Sequence, residues 1–220
     1  MHFSAKLLAV LFAMLLLRGM AFSQIPVEAF AGNKKATIDV MFFKYFKNKN
    51  QTNSRFLFFN RNRATIEYQK TSSSNLPQLG FTEAISYNHE KLLGFAPVVV
   101  GQIFSSGLYA KTGIQFARIR KELTIFTWVV SETKYHPNID VFFLGRYTPT
   151  LTEKINLFGQ LELVNTIPST IQKNYAFTQR IRLGLKIKEF QFGLAADFSE
   201  IGRGNFKQTD NSGIFLRYEY

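Results

Sequence analysis

Asn174–Ile187 reads NYAFTQRIRLGLKI. Tyr175, Phe177, Ile181, Leu183, Leu185 and Ile187 fall at alternate positions, with Gln179 between them, while Thr178, Arg180, Arg182 and Lys186 occupy the other set. A repeat of two belongs to a β-strand, whose successive side chains leave on opposite faces. The stretch also exceeds the roughly nine to eleven tilted residues that carry a strand across a bilayer.

The pattern spreads outward from there. One face of 138–147 carries Ile139, Val141, Phe143, Gly145 and Tyr147, and one face of 154–164 carries Ile155, Leu157, Gly159, Leu161 and Leu163. Phe190, Phe192, Leu194, Ala196 and Phe198 line up in 189–199, and Ile214, Leu216, Tyr218 and Tyr220 in 212–220. No charged residue stands on this face in any of the five segments, although 19% of the chain is charged. The opposite face holds Asp140, Arg146, Asn156, Gln160, Glu162, Gln191, Asp197, Arg217 and Glu219. Alternating segments continue upstream at 36–46, 54–68, 80–88, 107–118 and 122–132, which makes ten. Gly145, Gly159, Gly184 and Gly193 read as points where strand curvature or close packing needs a small residue.

Composition narrows the class. The 220 residues include 24 Phe, 9 Tyr and 1 Trp, yet the mean hydropathy is only -0.05. Two faces of opposite character cancel in such an average. The absence of cysteine excludes disulfide scaffolds, thiolate zinc sites, thiol catalysis and lipid anchoring through an N-terminal cysteine. A 46% hydrophobic chain also has enough apolar surface to fold rather than remain disordered.

Residues 1–23 read as a secretory signal peptide, removed on export. Lys6 is the charged start, Leu7–Leu17 (LLAVLFAMLLL) the apolar stretch, and Ala21-Phe22-Ser23 the small-x-small cleavage site. Eleven apolar residues in a helix span only about 16 Å, too short for a membrane crossing. The remainder, 24–220, reads as a single all-β domain.

Two architectures share this alternation. A soluble exported β-sandwich turns its apolar face inward, whereas a transmembrane antiparallel up-and-down β-barrel turns it toward lipid. Strand length, aromatic residues near strand ends on the apolar face, and a chain that stops inside its last strand favour the barrel. The ending Gly213-Ile214-Phe215-Leu216-Arg217-Tyr218-Glu219-Tyr220 resembles the C-terminal strand of Gram-negative outer-membrane β-barrel proteins. Tyr220 stands in the place of the terminal aromatic, more often Phe or Trp, and Tyr218, Leu216 and Ile214 form the alternating set. The resemblance implies an outer-membrane location and recognition of this strand by the barrel assembly machinery. It identifies no subfamily.

Barrels of this kind have an even number of strands. Ten is the preferred number, with 89–106 an external or inward-folded segment, because Pro97-Val98-Val99-Val100 lacks alternation. If 95–104 is a strand, 26–34 must supply another, giving twelve. Short turns are expected at 120–122, 148–153 and 187–189 on the side of the C-terminus, and longer loops, including Glu200–Ser212, on the other.

With that orientation, Arg61, Arg63, Glu67, Asp140, Arg146, Glu162, Arg180, Arg182, Lys186, Asp197, Arg217 and Glu219 point into the lumen. They describe either a salt-bridged filling or an arginine-lined constriction that favours anionic solutes. The protein is therefore expected to be a narrow passive channel or a structural membrane protein, monomeric and surrounded by outer-membrane lipids. The formal charge of +12 fits lipid phosphates and the lumen better than nucleic acid. A lipid-modifying or ester hydrolase is the catalytic alternative, resting on His89 or His136 beside Ser86 or Ser131. No cofactor or metal is expected, since no P-loop, dinucleotide fingerprint or metal-ligand spacing occurs.

Overall fold

In the computed structural model, residues 25–68 and 77–219 are described; the expected signal peptide and Tyr220 lie outside them. Twelve antiparallel strands follow one another around a closed barrel. They are β1 (Pro26–Gly32), β2 (Lys35–Lys47), β3 (Asn53–Glu67), β4 (Gln78–Tyr87), β5 (Phe95–Phe104) and β6 (Gly107–Ile119). β7 (Leu123–Glu132), β8 (Asn138–Tyr147), β9 (Ile155–Pro168), β10 (Tyr175–Ile187), β11 (Phe190–Arg203) and β12 (Asn205–Glu219) complete the meander. β1 pairs with β12 from Pro26↔Glu219 to Gly32↔Gly213, and this seam leaves no free sheet edge. The closed barrel replaces the soluble sandwich.

The preferred number of ten strands is thus corrected to twelve by two added together, β1 and β5. The reason 95–104 lacks alternation is visible in its burial. Ala96, Val98 and Val100 point inward and are buried, while Phe95, Val99 and Ile103 on the outer face are exposed. Both faces are apolar because this part of the interior is itself apolar. The rest of 89–106 is a single 3-10 turn at Glu90–Leu92 and the tight turn into Gly107, whose φ is +134°. Glu200–Ser212 is not a loop either. β11 and β12 continue past the seam as a ribbon, with Arg203 paired to Asn205 across Gly204, which has a φ of +84°. Tight turns therefore occur at both rims. Those at 120–122 and 188–189 lie at the rim bearing Pro26 and Glu219, here the terminal rim; those at 33–34, 105–106 and 204 lie at the far rim.

The outer wall is apolar. Ile38, Val99, Ile114, Leu183, Leu194 and Ile214 are each more than half exposed, an arrangement that water would penalise and acyl chains favour. Tyr147 and Phe190 stand exposed near the terminal rim, and Phe190 packs on Tyr218 with ring centroids 4.8 Å apart. The facing residues Gly184 and Gly193 are needed for a close approach. A Cβ on Gly184 would lie 2.0 Å from the Phe192 carbonyl oxygen, and one on Gly193 2.2 Å from that of Leu183.

The interior of the β2–β8 side is filled by Met41, Leu57, Phe59, Ala84, Val98, Val100, Phe126, Trp128, Val130, Phe142 and Leu144. Phe59 and Phe126 stack at 5.3 Å, and Trp128 stands edge-on to Phe59 at 5.1 Å. Aromatic pairs in these geometries add to what area burial alone provides. Part of the unusual phenylalanine content, Phe59, Phe126 and Phe142 among it, is therefore inside the barrel and not on its outer wall.

The inward course of β7 has an optical consequence. Trp128, the chain's one tryptophan, is 4% exposed, while the neighbouring Val129 is 53% exposed on the outer wall. In vesicles of brominated lipid, Trp128 emission should be nearly unquenched, whereas a Trp128→Phe, Val129→Trp variant should be strongly quenched. Equal quenching of both would contradict the assigned faces.

Candidate functional site: the barrel interior

Opposite the aromatic cluster runs a ladder of charge, built by the inward positions of β1–β3 and β8–β12. At its upper end Arg61 donates to Asp39 through Nη2 at 2.5 Å and to Glu162 through Nη1 at 2.8 Å. Arg180 also donates to Glu162. Arg63 donates through Nε to Asp39 at 3.0 Å and reaches Asp197 at 3.9 Å. Below them Arg182 bridges Asp197 through Nη1 at 2.7 Å and Glu28 through Nε at 2.9 Å. Arg217 lies 3.7 Å from Glu28 and donates to Gln160 at 3.0 Å, which also accepts from Arg146 at 3.0 Å. Near the terminal rim, Lys186 donates to Glu219 at 2.6 Å.

Local sequence explains the placement. In TIDV, RNRA, QRIRLG and RYE the charges sit at alternate positions between residues that face lipid, so a strand must aim them inward. Once inside, they are held by opposite charge and by rings. The Arg182 guanidinium lies 4.5 Å from the Phe30 centroid, and that of Arg217 lies 5.8 Å from Phe158. Arg182 and Arg217 are both 2% exposed and Glu162 is 1% exposed, so the ladder is enclosed rather than bathed in a wide channel.

Of the residues singled out in the sequence, Arg61, Arg63, Arg146, Glu162, Arg180, Arg182, Lys186, Asp197, Arg217 and Glu219 meet in this one network. Asp140 does not; it pairs with Lys111 and accepts from Thr166 at 3.0 Å. Glu67 also stands apart, paired with Lys35 at 3.3 Å toward the far rim. Asp39, Glu28 and Lys111 were missed. Asp39 was detectable from the alternation of Thr37 and Asp39 with Ile38 and Val40; Glu28 was hidden because β1 was not counted as a strand. On β12, Ile214 and Leu216 face outward and are exposed.

Above the ladder the barrel opens into a vestibule of about 370 Å³ toward the far rim. Its walls include Lys35, Arg61, Arg63, Arg180, Asp197 and Trp128. The floor is closed by the Arg61–Glu162–Arg180 contacts on one side and by Phe59, Trp128 and Phe142 on the other.

The hydrolase alternative finds no Ser–His pair among the described residues; Ser131 Oγ donates to the Glu132 carbonyl oxygen at 3.4 Å. Ser86 Oγ accepts from Gln115 at 2.5 Å and from Asn88 at 2.8 Å, and His89 Nδ1 accepts from the Lys91 backbone N–H at 3.2 Å. His136, with a φ of +56°, belongs to the far-rim connection 133–137, across the barrel's length from His89. No group of acidic and histidine side chains able to hold a metal occurs among the described residues.

Removing one member of a buried ion pair leaves its partner charged and unmatched, at a cost of about 3–5 kcal/mol. Glu162→Ala takes the shared carboxylate from Arg61 and Arg180 at once, leaving Arg61 to Asp39 and Arg180 only a 3.6 Å contact with Asp197. It should destabilise the barrel by roughly that amount in urea unfolding from vesicles, whereas Lys34→Ala, in an exposed pair with Asp210, should change stability by less than about 1 kcal/mol.

No family model matches the chain, and no curated protein matches it. Among solved structures, the chain is similar to KdgM porin in complex with disordered oligogalacturonate, at 12% identity and a TM-score of 0.49, over 90% of this chain and 99% of that one. NanC porin aligns over the same shares at 8% identity and a TM-score of 0.46. The translocator domain of the autotransporter NalP from Neisseria meningitidis aligns over 100% of this chain and 96% of that one, at 9% identity and a TM-score of 0.35. These are likenesses of fold alone. A closed up-and-down meander with a lipid-facing belt and a charged interior is the architecture of an outer-membrane β-barrel, and the chain has it.

Proposed function

We propose that this barrel is a narrow passive channel for small anionic solutes whose resting lumen is closed at the floor of the vestibule. The observation that carries the reading is the clamp of Arg61 and Arg180 on the single carboxylate of Glu162. A carboxylate or phosphate entering the vestibule presents guanidinium groups with the same chemistry that Glu162, Asp39 and Asp197 offer them. Exchange of partners, anion for carboxylate, is the step that would loosen the floor without leaving a buried charge unmatched. The expected orientation sets the far rim toward the outside and the terminal rim toward the periplasm, with β12 the strand read during assembly.

The enclosed aromatic cluster favours a second reading, in which the lumen is permanently filled and the protein is a structural or accessory component of the membrane. Planar-bilayer recording of refolded protein separates the two. The channel reading expects little or no steady conductance from the wild type and a steady, anion-selective conductance from Glu162→Gln, in which the clamp is weakened. A wild type that conducts steadily, without anion preference, overturns the closed floor. Silence from Glu162→Gln and from Glu162→Gln combined with Phe59→Ala, both properly folded, favours the filled barrel.

A further inference from the structure

The lipid-facing wall carries a carboxylate halfway along a strand. The outward positions of β4 are Leu79, Phe81, Glu83, Ile85 and Tyr87, all exposed, so Glu83 has apolar residues toward both rims. Its side chain is too short to reach headgroup depth from there. Among the described residues it meets no cation; its partner is the side-chain amide of Asn60, which donates at 3.3 Å. Asn62, the next outward residue on β3, donates in turn to Asn60 Oδ1 at 3.1 Å. On the other flank Glu83 pairs in register with Gly101 of β5, and Gly101 with Ala110 of β6. A Cβ at Gly101 would meet nothing within 4 Å, so the wall is recessed beside the carboxylate. On the outer faces of β8–β12 the carboxylates, Glu200 and Asp210, lie in the ribbon toward the far rim, where Gln208 and Lys34 meet them. An ionisable side chain turned to acyl chains is costly and calls for a polar partner at its own depth.

We propose that this face is the interface of a two-fold dimer in the membrane, with a second copy of the same chain covering Glu83. The patch is complementary to itself. It sets a carboxylate acceptor beside the partly exposed Asn62 amide, which has a further N–H to give, so rotation about an axis along the membrane normal between β3 and β4 faces the carboxylate of each copy with that amide of the other. The small residues Gly101 and Ala110 let the two walls approach closely, as they do where transmembrane segments pack on one another. Lipid headgroups do not reach this depth, and a neutral acyl chain offers the carboxylate nothing. The inference replaces the monomer expected from the sequence and is independent of whether the lumen conducts.

The chain contains no cysteine, so a single introduced thiol reports contact without background. With the axis between β3 and β4, Ile85 stands beside it, one outward step from Glu83, and Leu194 lies on the opposite wall, 68% exposed. Ile85→Cys and Leu194→Cys are each refolded into dilute proteoliposomes and treated with a short bismaleimide. Ile85→Cys should yield a cross-linked dimer and Leu194→Cys should remain a monomer. Adding Glu83→Leu to Ile85→Cys should lower the cross-linked fraction at least ten-fold while the barrel stays heat-modifiable on gels; where that double variant fails to fold, Asn62→Leu is read in its place. Equal cross-linking at positions 85 and 194, none at either, or a yield unaffected by loss of the polar group overturns the dimer. So does an Ile85→Cys protein that cross-links in native membranes only to a different chain.

Discussion

A backbone surrounded by hydrocarbon has nowhere to send its N–H and C=O groups except to another strand, and every other property of this barrel follows from meeting that requirement. The seam between β1 and β12 is where the requirement is met last. It joins one of the shortest strands, Pro26–Gly32, to one of the longest, Asn205–Glu219. With the ring closed, alternation fixes the destination of each side chain. Half of them must satisfy lipid and the other half must fill a space whose width is set by twelve strands.

Two chemistries fill that space. On the β2–β8 side rings stack on rings, and toward β9–β12 and β1 carboxylates and guanidinium groups neutralise one another. Neither filling suffices alone. The aromatics exclude water and so strengthen the electrostatics beside them, while the ion pairs occupy volume that apolar side chains do not. A buried ion pair adds little net stability compared with well-packed apolar residues, but it penalises misregistered strands severely, because a shift of one residue turns its charges toward lipid. The ladder therefore constrains strand register more than it strengthens the barrel.

The sequence made the β8–β12 half plain, since a lipid-facing apolar row and an inward charged row are distinguishable residue by residue. It was opaque where both faces have the same character. Ala96, Val98 and Val100 are as apolar as Phe95, Val99 and Ile103, so the period of two vanished from β5 although the strand is regular. β1 escaped for a different reason. Its few residues, PVEAFAG, alternate around small side chains, and its one charge, Glu28, gains meaning only from Arg182 and Arg217, more than a hundred residues away. The charged members of the interior were legible individually, but their pairing was not. Alternation reports the face a side chain leaves from and says nothing about the neighbour it meets across a closed ring.

The path of the ladder also ties the interior to the seam. Glu28 is the link between Arg182 on β10 and Arg217 on β12, and it arrives only with the first strand. Until β1 docks, the C-terminal half of the sheet holds two guanidinium groups that lack this carboxylate. Zipping the seam and neutralising the interior are thus a single step. A sheet that pairs its edges with the wrong strand forfeits the charge match as well as the hydrogen bonds.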